Sequence, residues 1–278
     1  MGKTKVIGKS AIRARHNIRG SILNLWHMVF FVSGVVAMGL FHLVLISIDH
    51  SRSALRADRA VKSAPRANAQ PWGELEITPM LLDRPEAKEL CRVQTLLMKL
   101  KVTPQSDLQT LLDYWGGCGN ADRVKPLLES VIRVREGAEL NVSFFMPPVP
   151  RLNLYTYPNP ASQAGQDCVF SAFNFFLDQP DNRFTDPEYA NNVLQSDFEP
   201  VRGEKKFGDL LLLQQGDRAV HMCVYIAADI VYTKNGGHPC QPWILMKLGD
   251  LMVQYESDKP QQLRVFRKKP VSSPSGKT

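Results

Sequence analysis

Three kinds of hydrophobic pattern follow one another along this chain of 278 residues, and each predicts a different kind of element. The first is an uninterrupted apolar run. From Ser21 to Ile48 there is no Asp, Glu, Lys or Arg, and Leu, Val, Ile, Phe, Met and Trp dominate. About 20 apolar residues span a bilayer, so the run predicts a transmembrane anchor over residues 21–48. His27 and His42 lie within it, but a single helix offers them no partners for a proton pathway. The second pattern is helical spacing across residues 77–138. Leu90, Val93, Leu96, Leu97 and Leu100 form one stripe, Leu108, Leu111, Leu112 and Trp115 a second, and Val124, Leu127, Leu128, Val131 and Ile132 a third. Pro104 opens the second and Asn120 caps the third, which predicts a small three-helix region available to a protein partner.

The third pattern is short apolar runs separated by turn residues. It predicts strands at 139–145, 209–214, 220–227 and 230–234, a further one from Trp243, and a last one at Leu263–Arg267. A short helix is expected around Glu188–Leu194. Between the first two patterns, residues 49–76 are rich in Ala, Arg, Ser and Pro without periodicity and read as a linker. Residues 270–278 read as a disordered tail. The expected class is α+β: a membrane anchor, a helical region, and a domain over 139–269 with one helix packed on a small antiparallel sheet.

Charge changes this picture in one respect. The net charge of +7 lies wholly in the first 70 residues, and the remainder is slightly acidic. That distribution is not the footprint of a nucleic-acid binder; it marks membrane flanks. Residues 1–20 carry Lys3, Lys5, Lys9, Arg13, Arg15 and Arg19 and no acidic residue. The positive-inside rule therefore keeps this tail in the cytoplasm and exports the chain beyond residue 48. A cleaved signal peptide is the rival. Ala67-Asn68-Ala69 resembles a cleavage site, but it lies roughly 20 residues past the apolar run, too far for that role.

Candidate chemistry centres on Cys168 and His221. Asp167 is a plausible N-cap that makes Cys168 the first residue of a helix, where free N–H groups favour a thiolate. His221 opens a strand that continues Met222-Cys223-Val224-Tyr225. A thiol on a helix start facing a His on a sheet is the working pair of cysteine hydrolases. Cys223, in mid-strand, reads as core packing. Five cysteines leave at least one unpaired; Cys91 with Cys118 and Cys223 with Cys240 are the pairings weighed, and either leaves Cys168 free. No Cys/His cluster suggests zinc and no glycine-rich loop a nucleotide, so neither metal nor cofactor is expected.

Over roughly residues 150–268 the chain resembles the NlpC-like cell-wall cysteine peptidases of the papain-like superfamily. The resemblance rests on Asp167-Cys168, Gly208-Asp209-Leu210 and His221-Met222-Cys223-Val224-Tyr225, in that order. Val169 and Phe170 stand where the family usually has Ser-Gly. The resemblance implies a third polar residue about a dozen positions after the His. By count this is Thr233, but Asn235 shares its strand face with longer reach, so Asn235 is the first choice, Thr233 the second and His238 the third. His238 lies beyond a Gly-Gly turn. It also implies a tyrosine near the oxyanion, for which Tyr155 and Tyr157 are candidates. The activity implied is hydrolysis of a peptide bond of peptidoglycan or a related amide in the bacterial envelope. The same fold held as an inactive binding module is the alternative.

Overall fold

The computed structural model describes residues 68–70, 72–84, 91–159 and 165–270, all inside one compact unit, Ala64–Thr278. The basic tail, the apolar run with His27 and His42, the linker up to residue 67 and residues 271–278 lie outside the described residues. Among the described residues no helix is long and apolar enough to cross a membrane.

The first sheet has four strands in the order β1 (Asn68–Gln70), β2 (Gly73–Arg84), β3 (Cys91–Val102) and β4 (Ala138–Asn141), every neighbour antiparallel. This corrects two expectations. The end of the linker is strand, and the first of the three predicted helices is β3. The residues read as a helical stripe also fit a period of two. Leu96, Met98, Leu100 and Val102 alternate into the core, whereas Val93 and Leu97 are half-buried. Pro79 is tolerated in β2 because β1 pairs only with residues 73–75, which leaves an open edge beside it. The other two helices form: α1 (Leu108–Trp115), capped by Asp107, and α2 (Ala121–Ile132). Trp115 is fully buried against Trp72, Tyr114, Phe145 and Phe207. Residues 77–138 are therefore a mixed unit, and Leu100↔Leu140 pairing carries its sheet across the boundary drawn at residue 138.

A 3₁₀ turn and α3 (Pro148–Asn153) lead to α4 (Cys168–Phe173), and α5 (Pro187–Asp197) to the second sheet. Its strands are β5 (Phe198–Val201), β6 (Leu210–Gln215), β7 (Arg218–Ala227), β8 (Ile230–Lys234), β9 (Trp243–Lys247) and β10 (Gln261–Lys268). They stand in the order β5-β10-β6-β7-β8-β9, all antiparallel, with α6 (Leu248–Gln254) between β9 and β10. The mixed α+β class with an antiparallel sheet is the architecture expected from the pattern.

Gly208-Asp209 sets the β6 entry. Gly208 has φ +88°, which favours glycine, and the Asp209 carboxylate takes paired hydrogen bonds of 2.7 Å from Arg267 on β10. That bond is the chief reason the Arg267 pKa is raised.

The second sheet buries both faces. Met222, Val224, Ile226, Ile230 and Tyr232 join a main core that includes Phe170, Ala172 and Phe173 of α4 and reaches the first sheet. Leu211, Cys223, Tyr225 and Val231 form a smaller core under Leu248 and Leu251 of α6. Thr95 of β3 links the two sheets: its hydroxyl donates to Leu245 O and accepts from Leu245 N–H, both at 3.0 Å. A disulfide between Cys91 and Cys240 fastens the start of β3 to the loop after β8. Neither pairing weighed from the sequence forms. The β3–β9 contact brings Cys91 to Cys240, and Cys118, Cys168 and Cys223 are free thiols.

Candidate functional site

Asp167 caps α4, its carboxylate accepting from Val169 N–H at 2.9 Å and Phe170 N–H at 3.0 Å. Cys168 is thus the first helical residue, as expected. Ser171 Oγ donates to Asp167 O and accepts from the buried Trp243 indole N–H at 2.8 Å, which fixes the helix start against β9. The Cys168 thiol is half-buried and takes N–H contacts from Met222, Val169 and its own backbone. Those contacts favour the thiolate, but burial, and then the Asp167 charge, outweigh them and push the thiol up to about 11.

Met222 is the neighbour of His221, so the thiol reaches β7 at the right residue. The Cys168 charge bears on Cys223 and Tyr255, which lie on the His221 side of the sheet. Alternation sends Met222 into the main core with α4 and His221 toward the smaller core. There His221 is only 2% exposed, and burial lowers its pKa to about 3. The Tyr255 ring stacks on the imidazole, centroids 4.5 Å apart.

The third position is occupied. His221 Nε2 lies 2.7 Å from Thr233 Oγ1, and Thr233 Oγ1 donates to Asn235 Oδ1 at 3.1 Å. The Asn235 amide orientation is assigned from its Nδ2, which donates to Gln254 Oε1 at 3.1 Å. Because Oδ1 only accepts, the Thr233 proton points to Asn235 and its lone pair to Nε2. With that assignment Nε2 carries the ring proton and Nδ1 is the open nitrogen. Nδ1 is buried and has no hydrogen-bond partner among the described residues. Thr233 meets the ring and Asn235 stands behind it. His238 is engaged elsewhere, its Nδ1 accepting from Cys240 N–H at 3.1 Å.

The oxyanion expectation is corrected. The Tyr157 hydroxyl is committed to Leu82 O at 2.8 Å and Cys91 O at 3.1 Å, and Tyr155 to Leu96 O at 2.8 Å. Both tyrosines fasten residues 154–157 to the first sheet, and neither proton is free for a reacting group.

Two residues near the pair escape sequence reasoning. Tyr255 lies on no motif, and nothing in its surroundings in the chain signals it. Lys234 had a signal: it sits between Thr233 and Asn235, so alternation turns it to the α4 face. Its side chain is fully buried over the Trp243 ring, with Nζ donating to Gly236 O at 2.5 Å. Burial lowers its pKa to about 8, against the pull of the Asp167 and Cys168 charges.

Comparison with protein-family models, with curated proteins and with solved structures returns no match to this chain.

Proposed function

We propose that this chain is a membrane-anchored cysteine hydrolase of the bacterial envelope that cleaves an amide bond through a thioester on Cys168. The carrying observation is the chain of contacts from His221 Nε2 to Thr233 to Asn235, which leaves Nδ1 without a partner among the described residues, one residue from the Met222 N–H that faces the thiol. A general base needs one nitrogen held and the other open. In the reaction, the Cys168 proton passes to Nδ1 and sulfur bonds to the amide carbon, whose π pair moves onto oxygen. Collapse breaks the C–N bond, and the amine leaves with the proton from the imidazolium. Water, deprotonated by the same nitrogen, then cleaves the thioester to an acid and the free thiol. The resemblance to NlpC-like peptidases suggests a peptidoglycan peptide as substrate. The apolar run at 21–48 and the Cys91–Cys240 disulfide favour an anchored protein whose catalytic domain lies in an oxidising compartment outside the cytoplasm.

A second reading, an inactive binding module on the same fold, has one observation in its favour. Burial holds the Cys168 thiol protonated.

Timed alkylation by iodoacetamide, mapped by mass spectrometry on the full chain in detergent, separates the two. The hydrolase requires Cys168 to react at least tenfold faster than Cys118 and Cys223 at pH 8, and His221→Ala to remove that advantage. Equal rates at the three thiols favour the binding module.

A further inference from the structure

The imidazole of His221 is held from two directions, and only one of them is the Thr233–Asn235 relay. The other is Tyr255, whose ring lies 4.5 Å from it at an interplanar angle of 30°. Tyr255 is itself anchored by three elements. Its N–H donates to Leu251 O at 3.3 Å and Met252 O at 3.2 Å of α6. Its carbonyl accepts from Gln261 Nε2 of β10 at 2.7 Å and from Gln215 Nε2 of β6. These bonds fix the backbone that carries the ring, and the stacking on His221 is the contact the ring itself makes.

We propose that Tyr255 is a positioning residue for His221: its ring closes one face of the imidazole, keeps water away from it, and fixes its plane so that Nδ1 stays aimed as a proton acceptor. The inference rests on the hydrolase reading and adds a residue to it. The titratable groups around the site are Cys168 and Asp167 at the start of α4, Cys223 on β7, Lys234 on β8 and Tyr255 itself. Burial is the cause that governs the imidazole, and Tyr255 is the ring stacked on it.

The test uses the full chain in detergent micelles with p-nitrophenyl acetate as acyl donor. It reads two quantities against pH: the rate of Cys168 acylation, and the ring titration of His221 by NMR with labelled histidine, assigned by its loss in His221→Gln. In the unaltered protein His221 stays silent from pH 8 to pH 4.5, and acylation does not fall across that range for want of a base. Tyr255→Phe keeps the ring and behaves the same. In Tyr255→Ala, His221 titrates near its ordinary value of about 6.5, and acylation falls about tenfold by pH 5.5 as Nδ1 takes a proton. Should Tyr255→Ala fail to fold, Tyr255→Leu, which covers without stacking flat, is expected to move both quantities in the same direction. A His221 that stays silent in the folded Ala or Leu variant overturns the inference. So does a Phe variant that behaves like Ala. If no protein acylates at Cys168, the hydrolase reading fails, and with it the catalytic part of this role; the ring titration still decides whether Tyr255 shields His221.

Discussion

At the scale of single residues, the choice of Thr233 has a physical consequence. A threonine hydroxyl both accepts from Nε2–H and donates to Asn235, so it passes orientation along a chain without adding charge. Thr233→Val keeps the shape but leaves a buried N–H without an acceptor, a loss of about 1–3 kcal/mol. Acylation of Cys168 should fall with it by about tenfold or more, measured beside thermal unfolding. Asn235→Ala removes only the outer member and should cost less on both counts. His221 also sets an acid limit. Its pKa is lowered to about 3 in the folded protein, so unfolded chains bind its proton first as pH falls. The stability it contributes is complete above pH 6.5, declines as pH drops from there toward 3, and amounts to about 3 kcal/mol lost by pH 4. Denaturant titrations at pH 7 and pH 4 should show that slope, and His221→Gln should flatten it.

The capped Cys168 and the shared face of Thr233 and Asn235 were legible because helix capping and strand alternation are local rules, whereas Thr233 as the partner of His221 was implied by the resemblance, and the preferred Asn235 stands one bond further out. Which hydroxyl each tyrosine satisfies is not a local matter. Tyr157 was drawn to the carbonyls of Leu82 and Cys91, more than 60 residues away in sequence. Tyr255 met His221 only because α6 folds back over the smaller core.

At the scale of elements, five strands of the second sheet were readable because their apolar runs end in clear turns, while β5, short and holding Pro200, was not. The β2–β3 hairpin was not, because a two-sided strand with Val93, Leu96, Leu97 and Leu100 also satisfies helical spacing. The residues that decide between the two periods are Met98 and Val102, both fully buried with Leu96 and Leu100. Asp209 shows how a motif residue can serve the fold. Its side chain is 2% exposed and its partner Arg267 is 31% exposed. Arg267→Ala strands a buried carboxylate and should destabilise by about 2–4 kcal/mol, less than a fully buried pair because water reaches the guanidinium. Chemical denaturation checks it. An unchanged midpoint would show that β10 is held by its ladder alone.

At the scale of the whole molecule, the apolar run at 21–48 and the disulfide both bear on the proposed place outside the cytoplasm. The Cys91–Cys240 bridge closes a loop with a sequence separation of 149 residues, and reducing it should cost about 2–4 kcal/mol while sparing the Cys168 thiol. A reporter fused after Thr278 that works only outside the cytoplasm should be active, and a cytoplasmic signal there would overturn the topology and the case for an oxidising compartment together. The central claim is narrower: that Cys168 is a nucleophile served by His221. Acid-quenched intact-mass analysis after mixing with p-nitrophenyl acetate tests it most directly. An acetyl group is expected on Cys168 within the first turnover, lost on standing as the thioester hydrolyses, and absent in both Cys168→Ala and His221→Ala. Acetylation spread evenly over Cys118, Cys168 and Cys223, or undiminished in His221→Ala, would contradict it.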